Sequence, residues 1–451
     1  MATPDRPICV WEDWQEAQRT VLRRTSLLDM TDIPERLRSE LFRIFGRDLT
    51  PDQAVSEIIA DVRHRGDVAL YDWTRRIDGM DLRTYEIPSE ALAEAYCSLP
   101  PGLVQSLHTV SQRIRSFHSF QPLQSWTTTH LGGILGQRVT PLQRVGVYVP
   151  GGTAPLPSSL LMTAIPARAA GVTEVVVCTP PSSAHGGVSP IILAAAHIAQ
   201  VDHVYSLGGA QAIAALAYGT STIPRVNKIV GAGGLFVTLA KRQVYGDVGL
   251  DGLAGPTETL IIADETANPE WIAADLLAQA EHDILASAVL ITNSRSLAED
   301  VLRHVERQLP ALHRADIARA ALARRGAIIV VPSLEIAIDL ANTYAPEHLC
   351  LAVCEPHQWA NRVRNAGGLF IGEHSFEVLG DYAAGPSHVM PTGGTARFAS
   401  PLSVLDFVKV TSIIDLDPET SSQLCASAAQ IAQAESLTGH AAAALQRGAS
   451  I

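Results

Sequence analysis

A chain of 451 residues exceeds what one hydrophobic core usually organises, so two or more domains are expected. Hydrophobic residues make up 47% of it and charged residues only 18%, a balance that supports an ordered globular protein and excludes disorder as the default. The formal charge of -12 argues against a surface for nucleic acid or an anionic membrane, because either needs a positive field to attract phosphates.

The N-terminus, Met1-Ala2-Thr3-Pro4-Asp5-Arg6, lacks a charged-then-apolar signal, and no apolar stretch reaches bilayer-spanning length. A reducing cytoplasm is therefore the expected compartment. Residues 51–78 and 101–119 read as amphipathic helices, with Pro100-Pro101-Gly102 as punctuation. From Arg144 the pattern changes to β-branched runs followed by alanine-rich helical segments: VGVYVP, EVVVCTP, HVYSLGG and NKIVGAG. It resumes at 259–264, 286–292 and 327–331. That alternation predicts parallel sheets with crossover helices, in two α/β units joined near 252–256. Arginines in 314–325 read as a solvated helix face. The tail from 418 onward reads as helices separated at Thr438-Gly439, which need a surface to pack on, in this chain or in a second subunit. The cysteines, Cys9, Cys97, Cys178, Cys350, Cys354 and Cys425, are scattered and suggest small core residues, with no thiolate zinc site and no nucleophile.

Several segments carry side chains suited to chemistry. At the end of Asp275-Leu276-Leu277-Ala278-Gln279-Ala280-Glu281-His282, Gln279 and His282 are three apart and share a helix face, while Glu281 is turned away. They read either as two ligands of a borderline metal or as a buried hydrogen-bonded pair. Glycine turns at Pro150-Gly151-Gly152-Thr153, Gly208-Gly209-Ala210-Gln211 and Gly231-Ala232-Gly233-Gly234 suit phosphate binding by backbone N–H groups. Tight strand-to-helix turns use glycine for steric reasons as well, and none of the three matches the full dinucleotide fingerprint. In Ala345-Pro346-Glu347-His348, an acid beside an imidazole enters a strand-like run, which is either a proton-transfer pair at a sheet end or an idle surface pair. Gly380-Asp381-Tyr382-Ala383-Ala384-Gly385-Pro386-Ser387-His388 describes an irregular loop of fixed path, a common home of functional residues. Glu435-Ser436-Leu437-Thr438-Gly439-His440 says little alone.

Together these segments resemble the histidinol dehydrogenase family. The resemblance is carried by RVGVYVPGGTAPLPSSLLMTAIPARAAG (144–171), GGAQAIAALAYGT (208–220), AGPTETLIIAD (254–264), DLLAQAEHD (275–283), APEHL (345–349), GDYAAGPSHVMPTGGTARF (380–398) and ESLTGH (435–440), in order over roughly residues 30–445. It implies zinc ligands at Gln279, His282, Asp381 and His440, a proton-transfer pair at Glu347 and His348, and substrate contacts from His388, Glu435 and Thr257 in addition to the zinc ligands and His348. It further implies NAD as cofactor, contacted by Tyr148, Gln211 and the Gly234 position. Two residues depart from the usual family pattern: Thr257 stands where a serine is usual, keeping the hydroxyl, and Gly234 where an asparagine is usual, losing a polar contact to the dinucleotide.

The reaction so implied is a four-electron oxidation of L-histidinol through L-histidinaldehyde to L-histidine, with two NAD reduced, in a homodimer whose tails complete each other's sites. The alternatives are a related zinc/NAD dehydrogenase of another small amino or sulfonated alcohol, a zinc hydrolase, and a binding protein on a decayed enzyme fold. The expected architecture is two incomplete Rossmann-like α/β domains with parallel sheets. Residues 29–125 and 257–403 would form the first, bearing zinc and the acid–base pair, and 126–256 the second, on the NAD side. A helical segment, 1–28, would precede them, and a helical dimerisation tail, 404–451, would follow.

Overall fold

The computed structural model describes residues 7–24, 35–81, 84–151, 155–182 and 186–448. Its frame is two six-stranded sheets and a small antiparallel one. In the first, strands run in the spatial order Cys9–Trp11, Ala327–Val330, Ser287–Thr292, Glu258–Ala263, His348–Ala352 and Gly368–Ile371, every neighbouring pair parallel. In the second the order is Glu86–Ile87, His203–Ser206, Glu174–Thr179, Arg144–Tyr148, Lys228–Val230 and Gly249–Leu250, parallel except at the Glu86–Ile87 edge.

The β-branched runs become buried parallel strands because both faces of each sheet are covered. Side chains alternate across the second sheet: Val145, Val147, Val175 and Val177 join one core with Leu160 and Ile165, whereas Tyr148, Val176, Cys178 and Tyr205 join the other with Ile213 and Val237. The first sheet divides likewise, Ile261, Leu290 and Ile328 to one side, and Leu260, Ile262, Val289 and Ile291 to the other. Residues 251–257 cross between the sheets as coil.

Three boundaries differ from the sequence reading. The segment 1–28, expected to be helical, contributes the strand Cys9–Trp11, which pairs with Ala327–Val330 before the helix Trp14–Arg19; residues 1–6 and 25–28 lie outside the described residues. The described helices within 29–125, expected with 257–403, cover the second sheet instead. Pro51–Arg65 and Asp67–Ile77 place Val55, Ile58, Leu70 and Trp73 on one face, and Ser89–Ser98 and Pro101–Ser119 place Leu92, Leu107 and Ile114 on the other. Their apolar faces complete cores that the crossover helices leave open. The tail 404–451 is not all helical: Val408–Asp415 pairs antiparallel with Ile134–Pro141, which also pairs with Trp126–Thr128, so 126–141 belong to this third sheet. The helices Pro418–Ala434 and Thr438–Gly448 follow and pack on each other through Ala429, Ala432 and Ala441.

Among the described residues no helix is long and apolar enough to cross a membrane.

Candidate active site

A cavity of about 180 Å³ lies between the two large sheets, lined by Thr257, His282, Glu347, His348, Asp381 and His388 together with Ser159 and Ala232 from the second unit. A cavity of about 150 Å³ holds a benzene, so this one suits a small molecule and not a dinucleotide. In the first sheet the adjacent strands Glu258–Ala263 and His348–Ala352 present their amino ends to it, and Thr257 and Glu347 stand just before them. The second sheet offers its carboxyl ends. Chain order reverses between its adjacent strands Arg144–Tyr148 and Lys228–Val230, the crevice where ligands of open α/β sheets bind, and Ala232 lies just beyond it.

Glu347 and His348 are buried. Glu347 Oε2 accepts from the Thr257 hydroxyl at 2.7 Å and from the Glu258 N–H at 3.0 Å. Burial nevertheless pushes its carboxyl up to about 7, against the lowering effect of His348 and these two donors. His348 Nδ1 lies 3.2 Å from the Glu258 carbonyl and donates to it, which leaves Nε2 of a neutral ring as the nitrogen able to accept a proton. Among the described residues that nitrogen is buried without a hydrogen-bond partner; Asp381 Oδ1, 3.5 Å away, is at ion-pair distance only. Burial opposes charge on the imidazole, but Glu377, Glu347 and Asp381 around it outweigh burial and push His348 up to about 10. Glu377, one helical turn before Asp381, is buried, accepts a hydrogen bond from Thr259 and stands 3.9 Å from His348 Nδ1. Sequence reading missed it; its spacing of four from Asp381 in the helix Glu377–Tyr382 is the signal that was available.

The helix Pro269–Ala280 stops just before its predicted polar pair is complete. Gln279 is buried within it and donates through Nε2 to Thr257 Oγ1 at 3.2 Å, while His282 lies beyond the cap in the turn closed by His282 N–H and the Gln279 carbonyl at 3.3 Å. His282 is exposed at the pocket mouth, yet enough protein surrounds its ring for burial to depress its pKa, against the pull of Asp381. Asp381 is held below the usual carboxylate range, burial being outweighed by His348, His388 and His282. Gly380 lets its helix approach Phe370, whose Cε1 would stand 2.4 Å from a β-carbon there. His388 is fixed by Nδ1 to the Asp381 carbonyl at 2.7 Å and by Nε2 to the Ser159 hydroxyl at 3.2 Å, the latter a contact across the two units.

Two of the expected ligand and substrate residues are not in this gathering. Glu435 and His440 are exposed on the helical hairpin of the tail, and neither lines the cavity. Among the described residues no three His, Cys, Asp or Glu side chains cluster as a metal site. The expected set has only His282 and Asp381 of those types in the body of the chain. Their chemistry, an imidazole and a carboxylate with the Gln279 amide nearby, fits a borderline cation that still needs a further ligand.

The expected cofactor contacts sit at the carboxyl ends of the second sheet, apart from the cavity lining. Tyr148 Oη accepts from the Gly209 N–H at 3.1 Å, and Gln211, fully buried, has among the described residues no partner for Oε1 and a long, 3.5 Å contact from Nε2 to Asp78. Gly234 is the exposed residue before the helix Leu235–Val244. Its turn is held by a buried ion pair: Lys241 Nζ donates to the Gly231 carbonyl at 2.9 Å and to Asp251 at 2.5 Å, and Asp251 accepts the Gly231 N–H at 2.7 Å. Gly231 has φ +104°, and a β-carbon would lie 2.2 Å from the Tyr148 carbonyl oxygen, so only glycine permits this close approach. Of the turn Pro150-Gly151-Gly152-Thr153, Gly152 and Thr153 lie outside the described residues.

Two largely parallel sheets meeting at a cavity that holds a buried carboxyl–imidazole pair define an α/β protein with an enclosed site for a small molecule. Residues 47–448 match the family model of histidinol dehydrogenase. The histidinol dehydrogenase of Pseudomonas syringae pv. syringae is 47% identical over 404 residues, covering 89% of this chain and 90% of that one, and that of Deinococcus radiodurans is 48% identical over 427 residues, covering 94% and 97%. The crystal structure of histidinol dehydrogenase from Elizabethkingia anophelis superposes with a TM-score of 0.89 at 32% identity, covering 99% of each chain. The chain belongs to the histidinol dehydrogenase family, a family of oxidoreductases.

Proposed function

We propose that the protein oxidises L-histidinol through L-histidinaldehyde to L-histidine, at the end of histidine biosynthesis, with transfer of two hydrides to two NAD in succession. The observation that carries this reading is the buried Glu347–His348 pair, whose two side chains face one small cavity with different working atoms. His348 Nε2 takes the alcohol proton as hydride leaves carbon; Glu347 takes a proton from water as it adds to the aldehyde, and the hydrate then loses the second hydride. His388 and Glu435 are acceptors suited to the substrate's amine and imidazole. Gln279, His282, Asp381 and His440 would hold zinc, which when bound fixes the alcohol carbon and offsets the carboxylates that keep the proton on His348. Tyr148, the orphaned Gln211 oxygen and the turn at Gly234 would contact NAD.

The direct assay is purified protein with zinc, NAD and L-histidinol. Two NADH per histidinol are expected; no NADH with this substrate overturns the reading.

A homodimer with exchanged tails accounts for the exposed position of Glu435 and His440. Its expected consequence is complementation. His440→Ala and His348→Asn homodimers should each be inactive, whereas subunits mixed by refolding should regain activity, because one hybrid site pairs an intact body with an intact tail. A mixture no more active than its components would show that each chain supplies its own His440.

A further inference from the structure

The peptide groups of Glu258 engage both members of the proton-transfer pair, its N–H meeting Glu347 Oε2 at 3.0 Å and its carbonyl meeting His348 Nδ1 at 3.2 Å. Whatever places that residue therefore places the pair. Its side chain is buried and forms an ion pair through Oε1 with Arg24, with the Gly393 N–H 3.3 Å from the same oxygen. Among the described residues Oε2 is buried without a partner, and Arg24 is the cation paired with this carboxylate.

The same guanidinium grips the turn that leads into Glu347 and His348. Nε and Nη2 donate to the Tyr344 carbonyl at 3.0 and 2.8 Å, Nη2 also reaches the Ala345 carbonyl at 3.2 Å, and Cζ lies 3.6 Å over the Tyr344 ring. These carbonyls end the helix Leu334–Tyr344, where no intrahelical donor remains for them. Ala345 is left-handed, with φ +52°, a conformation that a residue bearing a β-carbon keeps only where its surroundings hold it. Arg24 does not line the cavity that holds His348; among the described residues its hydrogen bonds go to the Glu258 side chain and to the Tyr344 and Ala345 carbonyls, on the two segments that carry Thr257–Glu258 and Glu347–His348.

We propose that Arg24 is a positioning residue for the oxidation, tying the Glu258 peptide to the Tyr344–Ala345 turn and so setting Glu347 and His348 against the substrate. The proposal rests on the roles proposed above for that pair. A planar fork is required, since one group must serve a carboxylate and two carbonyls while stacking on a ring, which a lysine ammonium cannot reproduce.

The test compares the full chain with Arg24→Ala and Arg24→Lys, assayed with zinc, NAD and L-histidinol. A small misplacement of reacting groups costs up to about a hundredfold, so kcat of Arg24→Ala should fall on the order of tenfold to a hundredfold. Its KM for L-histidinol should stay within about threefold. Guanidinium ion well below denaturing concentrations should restore kcat of Arg24→Ala several-fold and leave the unsubstituted protein unimproved. Wild-type kcat in Arg24→Ala, or a loss that guanidinium does not relieve in a cooperatively melting variant, overturns the proposal. Should Arg24→Ala fail to fold, Arg24→Lys decides: lowered kcat at unchanged KM supports the role, and full kcat refutes it. Absence of NADH with the unsubstituted protein is a separate result, which removes the histidinol reading and the positioning role with it.

Discussion

His348→Asn is expected to lower the first oxidation by on the order of 10² to 10⁴, the usual contribution of a positioned acid–base group. At about 1.4 kcal/mol per tenfold, this is a barrier increase of roughly 3 to 6 kcal/mol. Asparagine can still donate to the Glu258 carbonyl from near the Nδ1 position, so the local path of the chain should survive while the free Nε2 disappears. The measurement is NADH formation from L-histidinol alongside calorimetric binding of the same substrate; a rate within tenfold of the unsubstituted protein would sink the assignment. The charge state sharpens the expectation. In the free site three carboxylates push His348 up to about 10, so the base form is scarce at neutrality and alcohol oxidation should rise with pH. The stability linkage has the opposite sense. A histidine whose pKa is raised from 6.5 to about 10 on folding stabilises fully below its unfolded value, and that stabilisation is lost as pH rises through about 10.

Glu347→Gln is expected to separate the two oxidations. Glutamine retains an oxygen for the Thr257 hydroxyl and the Glu258 N–H, now at 2.7 and 3.0 Å from the carboxylate, and loses only the capacity to take a proton. Oxidation of supplied L-histidinaldehyde should fall by on the order of 10² to 10⁴, while the alcohol step changes by less than about tenfold. With L-histidinol in the presence of an aldehyde trap, NADH yield should approach one per substrate. Equal loss of both half-reactions would refute the division of roles. Burial pushes Glu347 up to about 7, so in the unsubstituted protein the base form is populated above that pH. Aldehyde oxidation should then decline about tenfold for each pH unit below it, and this acid limb should vanish in Glu347→Gln.

Local patterns predicted much of this molecule. The runs around Val147, Val176, Ile261 and Leu290 form parallel strands because continuous β-branched sequence bounded by glycine turns has few other ways to bury itself. Of the residues singled out by their motifs, Thr257, His282, Glu347, His348, Asp381 and His388 line one cavity. The strand Cys9–Trp11 was not legible: three residues carry too little periodicity, and the strand exists because it adds to the edge at Ala327–Val330. Nor was the home of the helices within 35–119. Amphipathicity states that an apolar face must be covered without naming the sheet that covers it, and here the second sheet does so.

What the sequence determined by itself was element type, the presence of two parallel α/β units and the family, and it nominated the candidate side chains for the site, all from short-range pattern. Only the tertiary structure decided how those side chains act on one another. It buried His348 among Glu347, Glu377 and Asp381, raised Glu347 to about 7, and brought Arg24, 234 residues away, onto Glu258. It also left His440 exposed on its hairpin, away from His282 and Asp381. Burial, ion pairing and the separation of distant segments are properties of packing between elements, and no window of local sequence encodes them.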